Sequence, residues 1–367
     1  MKYVDGFRDP AAAAALRRSI SRTAESLAAS RGTVRIMEVC GTHTMAIARH
    51  GIRGVLPDNV DLVSGPGCPV CVTHAGYIDN AIALAERGVC IVTFGDMLHV
   101  PGSTSTLAGA RAGGAAVETA YSPATAIEMA RSETGRQVVF LAIGFETTIA
   151  PLVSLVDEAK AQSIANLTLL TAFKLVPPAL SALRADRELA IDAFLCPAHV
   201  SAIIGSDAYR PFAGPGGVPC VIAGFEPLDI LLGIDRILRQ IAEGRAEVEN
   251  LYDRVVRPQG NPKAQALMRT YLRPVDARWR GIGTIPRSGL GLRPEYEQLD
   301  SAVRFGLADA PGSEPRGCLC GEVIKGKRKP PACPMFGKAC TPDSPVGPCM
   351  VSSEGSCAAY YKYREEP

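Results

Sequence analysis

Val60-Asp61-Leu62-Val63-Ser64-Gly65-Pro66-Gly67-Cys68-Pro69-Val70-Cys71-Val72-Thr73 is the stretch whose reading decides the fold. Val60–Val63 is an apolar run of strand type, and a helical pattern follows at Ala75–Arg87. Gly65 and Gly67 let the backbone turn sharply between them, and Pro66 and Pro69 restrict how it does so. The turn sets two thiols three residues apart at the start of a helix. There the positive end of the helix dipole favours thiolate, and with it redox or metal chemistry.

The same alternation extends in both directions. Strand-like runs occur at Val34–Val39, Val89–Phe94, Gln137–Ile143, Leu167–Thr171, Ala193–Leu195 and Val218–Ala223. Helical patterns fill the gaps at Thr44–His50, Pro123–Arg131, Thr148–Ala161, Pro178–Ala185 and Pro227–Ala242. Continuous apolar strands separated by helices predict an α/β fold with parallel sheets covered on both faces. At 367 residues the chain has room for two such sheets. Ile143-Gly144-Phe145-Glu146 and Ala223-Gly224-Phe225-Glu226 repeat one word after a strand and before a helix. The expectation is therefore two similar α/β domains, 1–135 and 136–255, and a smaller, mostly helical or irregular region over 256–367.

Composition narrows the class. With 39 basic and 37 acidic side chains the net charge is +2, so no nucleic-acid partner is expected. No apolar run nears the roughly 20 residues that span a bilayer, and no membrane partner is expected. The alanine run Ala11–Ala15 is short and closely flanked by charge. It fits a helix capped by Asp9, with Pro10 at its first position and its end near Ala29, better than an export signal. Twelve cysteines in a chain read as cytoplasmic point to metal or redox duty rather than to a disulfide framework.

The residues that follow each proposed strand carry most of the reactive groups: Cys40-Gly41-Thr42-His43, Ser64–Cys71, Gly95-Asp96, Gly144-Phe145-Glu146-Thr147-Thr148, Cys196-Pro197-Ala198-His199 and Gly224-Phe225-Glu226. Ligands of open parallel sheets bind at the carboxyl ends of the strands, so this edge is the expected site. Cys40 and His43 read as a metal pair or as a nucleophile and base. Cys68 and Cys71 read as a dithiol/disulfide couple in preference to half a zinc site or a structural turn. His50, His74 and His99 lack partners in the sequence and read as structural. Cys90 and Cys220 read as core.

From Val256 onward apolar runs shorten, and Gly281–Gly291 is dotted with glycine without the ending of a phosphate loop. The tail has too few aliphatic residues for a core, yet it holds Cys318, Cys320, Cys333, Cys340, Cys349 and Cys357. A metal centre would replace that core. No pair of Cys-x₂-Cys knuckles occurs, and the wide spacing of Cys320, Cys333, Cys340 and Cys357 suits a cubane iron–sulfur cluster better than zinc. Cys318 and Cys349 are left as spares.

Several words together resemble the HypD family of [NiFe]-hydrogenase maturation scaffolds. They are Glu38-Val39-Cys40-Gly41-Thr42-His43, Gly65-Pro66-Gly67-Cys68-Pro69-Val70-Cys71, Gly144-Phe145-Glu146-Thr147-Thr148 and Pro197-Ala198-His199-Val200-Ser201. The tail adds Cys318-Leu319-Cys320-Gly321, Cys340-Thr341-Pro342 and Val351-Ser352-Ser353-Glu354-Gly355. The resemblance implies two α/β domains and a third region with a [4Fe–4S] cluster held by Cys320, Cys333, Cys340 and Cys357. It implies a HypC-like chaperone as partner, a HypE-like donor of cyanide, and a transient iron that acquires two cyanides and one carbon monoxide. Cys40 would be the iron-binding thiolate and Cys68 with Cys71 the redox pair. Glu146, Thr147 and His199 would support them or handle protons. The competing expectation is a thiol–disulfide or iron–sulfur electron-transfer protein that delivers no iron.

Overall fold

The computed structural model describes residues 5–363. Each proposed strand forms: β1 (Val34–Glu38), β2 (Val60–Ser64), β3 (Cys90–Thr93), then β5 (Val138–Gly144), β6 (Leu167–Lys174), β7 (Ala193–Pro197) and β8 (Cys220–Ala223). Four further strands were not expected: β4 (Val117–Thr119), β9 (Val248–Asn250), β10 (Leu272–Trp279) and β11 (Gly283–Leu292). Every residue of β5 is buried, as a strand covered on both faces requires.

Two sheets result. The first has the order β2-β1-β7-β8-β9, all parallel. The second runs β10-β11-β6-β5-β3-β4, parallel from β4 to β6 and antiparallel through the β10–β11 hairpin. Numbered within its own sheet, each parallel part is wound alike, with its second strand outside the first and the later strands on the other side. The α/β class and the likeness of the two units are therefore as expected.

The boundary near Gly135 is not. β3 lies before it and β5 after it, yet they are neighbours, joined from Cys90↔Val138 to Val92↔Phe140. The chain lays down β1 and β2, builds β3–β6 as a second unit, and returns to complete the first sheet with β7–β9. The hairpin then crosses back, so the segment from 256 does not form one separate region; much of it finishes the second sheet. Only the stretch beyond the helical turn Ser301–Arg304 is irregular, with short helices at Cys320–Ile324, Pro348–Val351 and Ser356–Lys362.

Helices cover the sheets as the apolar pattern requires. α1 (Pro10–Arg31) opens on Asp9, whose Oδ1 accepts from Ala11 N at 2.8 Å, and ends beyond the expected Ala29 at Gly32, with φ +76°. With Pro227–Ala242, α1 covers the outer face of the first sheet, over Ile36, Leu62, Leu195 and Val221. The inner face of that sheet, with Met37, Phe194 and Ile222, packs against the Cys68–Cys71 turn, Trp279 and the cysteine-rich tail in one core. None of the helices among the described residues is long and apolar enough to cross a membrane.

Candidate metal centre

Winding of this kind leaves a crevice at the carboxyl ends of the first sheet, between β1 and β7, where neighbouring connections leave in opposite directions. Cys40 follows β1 there, and His199 follows β7. Cys40 stands at the N-cap of α2 (Gly41–Arg49) without a side-chain cap hydrogen bond, though the nearby N–H groups of His43 and Thr42 favour its thiolate. Its residue is 8% exposed, and burial pushes the thiol up to about 12. A cation can displace that proton where neutral water cannot.

The Gly65–Cys71 turn lies directly against Cys40. Gly65 N donates to Glu38 O at 2.8 Å, and Gly41 N donates to Gly67 O at 3.0 Å. A Cβ on Gly67 would stand 2.6 Å from Cys40 Cα, so only glycine permits this approach. Cys68 caps α3 (Pro69–Val72), and its Sγ accepts from Cys71 N at 3.1 Å. Both thiols are buried, and burial drives the Cys71 thiol upward. The expected thiolate character is thus overturned for Cys71: a single helical turn offers too little dipole to offset desolvation.

His43 is fully buried, and Nε2 lies 2.9 Å from Gly224 O and 3.1 Å from Ala223 O. Two carbonyls can only accept, so Nε2 carries the proton. Burial lowers its pKa to about 4, and the ring stays neutral. Its ring lies 4.8 Å from that of Phe225, tilted by 45°, and the Phe225 ring lies 4.2 Å from that of His199. His43 thus ties α2 to the end of β8, while His199 stays exposed at the crevice mouth.

Glu146 and Thr147 belong to the second sheet, after β5. Glu146 Oε1 accepts from Val176 N at 2.9 Å, Oε2 is buried without a partner, and burial raises the carboxyl to about 7. Glu354 was not singled out as a site residue. Its Oε1 accepts from Thr42 Oγ1 at 3.0 Å, and its charge is felt by both Cys40 and His199. A glutamate 314 residues downstream of Cys40 leaves no signal in spacing; the tail carries it there by folding back over α2.

The tail builds a cage. Cys318, Cys320, Cys333, Cys340, Cys349 and Cys357 all line one cavity with Val323, Phe336 and Met350. Val346 N donates to Cys340 Sγ at 3.3 Å, and Phe336 meets the edge of Tyr361 at 6.1 Å. Gly347 keeps the wall thin, since a Cβ there would stand 2.7 Å from Cys318 Sγ. Cys320 Sγ lies 2.8 Å from Cys349 Sγ, and Cys71 Sγ donates to Pro348 O at 3.7 Å and lines one small pocket with Cys349. Cys349, read as a spare, is therefore where the turn meets the cage. No three Cys, His, Asp or Glu side chains among the described residues form a ready site for one metal ion. Six thiols around an apolar cavity, with an amide aimed at one sulfur, do fit a cubane cluster. Cys90 and Cys220 are core, as expected.

The fold and site define a doubly wound α/β protein in which a strand-end thiol, a dithiol turn and a cysteine cage lie in one row. A family model for HypD, described as the hydrogenase formation hypA family, matches residues 12–364. The chain is 47% identical to the hydrogenase maturation factor HypD of Azotobacter vinelandii, over 99% of this chain and 97% of that protein. It is 42% identical to the factor of that name in Rhodobacter capsulatus, over 99% and 98%. A putative hydrogenase expression/formation protein of Methanocaldococcus jannaschii is 42% identical, over 90% and 92%. The chain belongs to the HypD family.

Proposed function

We propose that this chain is the hydrogenase maturation scaffold on which iron receives two cyanides and one carbon monoxide. A HypC-like chaperone shares the iron, and a HypE-like protein donates cyanide. The observation that carries the reading is the continuity of the thiols. Cys40 abuts the Cys68–Cys71 turn through Gly67, and Cys71 abuts Cys349 of the cage. A plain dithiol oxidoreductase has no use for the first thiol of that row.

The iron is cargo. Cys40 Sγ gives up its proton on binding it, and a soft thiolate keeps the metal electron-rich for cyanide. Glu354, beside Cys40 and held by Thr42, is a carboxylate placed to take that proton. His199 stands at the open side of the crevice, where incoming groups arrive. Cys68 and Cys71 give two electrons and two protons when they join. The cage would hold a [4Fe–4S] cluster, which exchanges electrons singly. Cys320, Cys333, Cys340 and Cys357 would be its ligands, with Cys318 and Cys349 lining the same cavity beside them.

Infrared spectra of anaerobic protein, prepared with its HypC-like and HypE-like partners, test the assignment. Cyanide and carbonyl bands are expected in the parent and absent in Cys40→Ala; a parent without such bands overturns the scaffold in favour of electron transfer alone. For the cage, Cys320→Ser is expected to lose the cluster's visible absorbance and Cys318→Ser to keep it. The reverse would make Cys318 the ligand.

A further inference from the structure

Glycine-dotted sequence after Trp279 forms the tip of the β10–β11 hairpin, and no part of the proposed chemistry uses it. Its position is specific. Trp279 forms an antiparallel bridge with Thr73, two residues after Cys71. Arg280 N donates to Val72 O at 2.8 Å. The Arg280 side chain is wholly buried: Nε donates to Thr73 O at 2.7 Å, Nη2 to Pro101 O at 3.1 Å, and Nη1 pairs with Glu314 Oε2 at 2.7 Å. Glu314 is four residues before Cys318. Gly281, at φ +75°, packs on Gly321, the residue after Cys320, and a Cβ there would collide with the Gly321 backbone. One tripeptide therefore touches the dithiol turn on one side and both approaches to the cage on the other.

We propose that Trp279-Arg280-Gly281 is the spacer that holds Cys71 against Cys349 and the cage, with Arg280 as its positioning residue. A buried guanidinium is tolerated only when its donors are met, and here they are met by three segments at once. That makes Arg280 a clamp: it fixes the turn, the Pro101 loop and the tail relative to one another. Lysine keeps the charge but not the fork, so it replaces arginine only in part. The use of this spacing rests on the redox reading above; the spacing itself does not.

Thiol pairing in the full-length, metal-free chain measures the spacing directly. In a Cys68→Ser/Cys320→Ser chain, diamide removes two electrons and two protons from Cys71 and Cys349, and peptide mapping quantifies the resulting disulfide. Arg280→Met is expected to lower that yield about tenfold, because disulfide geometry tolerates little displacement. Gly281→Ala is expected to lower it as well, and Arg280→Lys to fall between. In a Cys71→Ser chain, Arg280→Met is expected to leave the Cys320–Cys349 yield unchanged, since that pair lies within the tail. Unaltered Cys71–Cys349 yields in both hairpin variants would overturn the proposal. So would joint loss of the two pairs, which would make Arg280 a support of the whole tail. A chain that binds no cluster would defeat the functional reading and leave this outcome standing.

Discussion

At Gly67 the absence of one methyl group decides whether two thiol sites are one. The turn can press against Cys40 only because nothing projects from that carbon. Glu146 illustrates the opposite economy, a charge-capable group taken wholly inside. Its carboxyl is raised by burial from 4.5 to about 7, and no cation stands by it. Between those values the folded chain holds a proton that the unfolded chain has released. Stability from this group is therefore full below about pH 4.5 and falls as pH rises toward 7. Glu146→Gln removes that dependence. Relative to the parent, the variant's unfolding free energy from urea titrations is expected to gain between pH 5 and pH 8, by up to ~3 kcal/mol for the shift. A constant difference across that range would mean that Glu146 is ionised in the fold. His43 acts in the other direction: neutral with a pKa near 4, it lowers stability as pH falls below 6.5.

Elements set which thiols meet. α3 is one turn long, and its burial outweighs its dipole at Cys71. Cys71 does not line the cage cavity, and on the proposed reading it is no cluster ligand. Cys71→Ser is expected to keep the cluster's visible and electron-paramagnetic spectra while abolishing the pair of thiols trapped by alkylation after mild reduction. Loss of the cluster would instead make Cys71 a ligand. Sequence patterns revealed the long apolar strands and the strand-end residues, because burial on two faces writes an unbroken apolar run. β4 and β9 escaped because three edge residues carry no periodicity. The hairpin escaped because polar Arg273, Asp276 and Arg278 interrupt β10, and Gly289 and Gly291 thin β11. In the tail, cysteine spacing gave the cage but not the partner of Cys349 or the place of Glu354. Those follow from chain reversals that local sequence does not encode.

On the scale of the whole molecule, the two sheets are interleaved, and this decides how the site is held. Sheet one takes β1 and β2 from before the second unit and β7–β9 from after it; sheet two takes its hairpin from beyond β9. Cys40, Cys68, His199 and Glu354 are therefore assembled from four separated parts of the chain, and none of them gathers at the site in a fragment. The turn at 133–136, which looked like a boundary between domains, is instead a surface loop inside one sheet. It is exposed at Thr134, Gly135 and Arg136, and it is pinned by Asn166, whose side-chain amide donates to Ala130 O, Glu133 O and Arg136 O. A protease site placed after Gly135 tests this directly. The cut chain is expected to elute as one species at the parent's size in native buffer, because β3 and β5 pair across the cut, and to separate into two pieces only in denaturant. Native separation of a 1–135 piece that keeps its own cooperative unfolding would show that the boundary is real and that the strand pairing between Cys90 and Val138 contributes little.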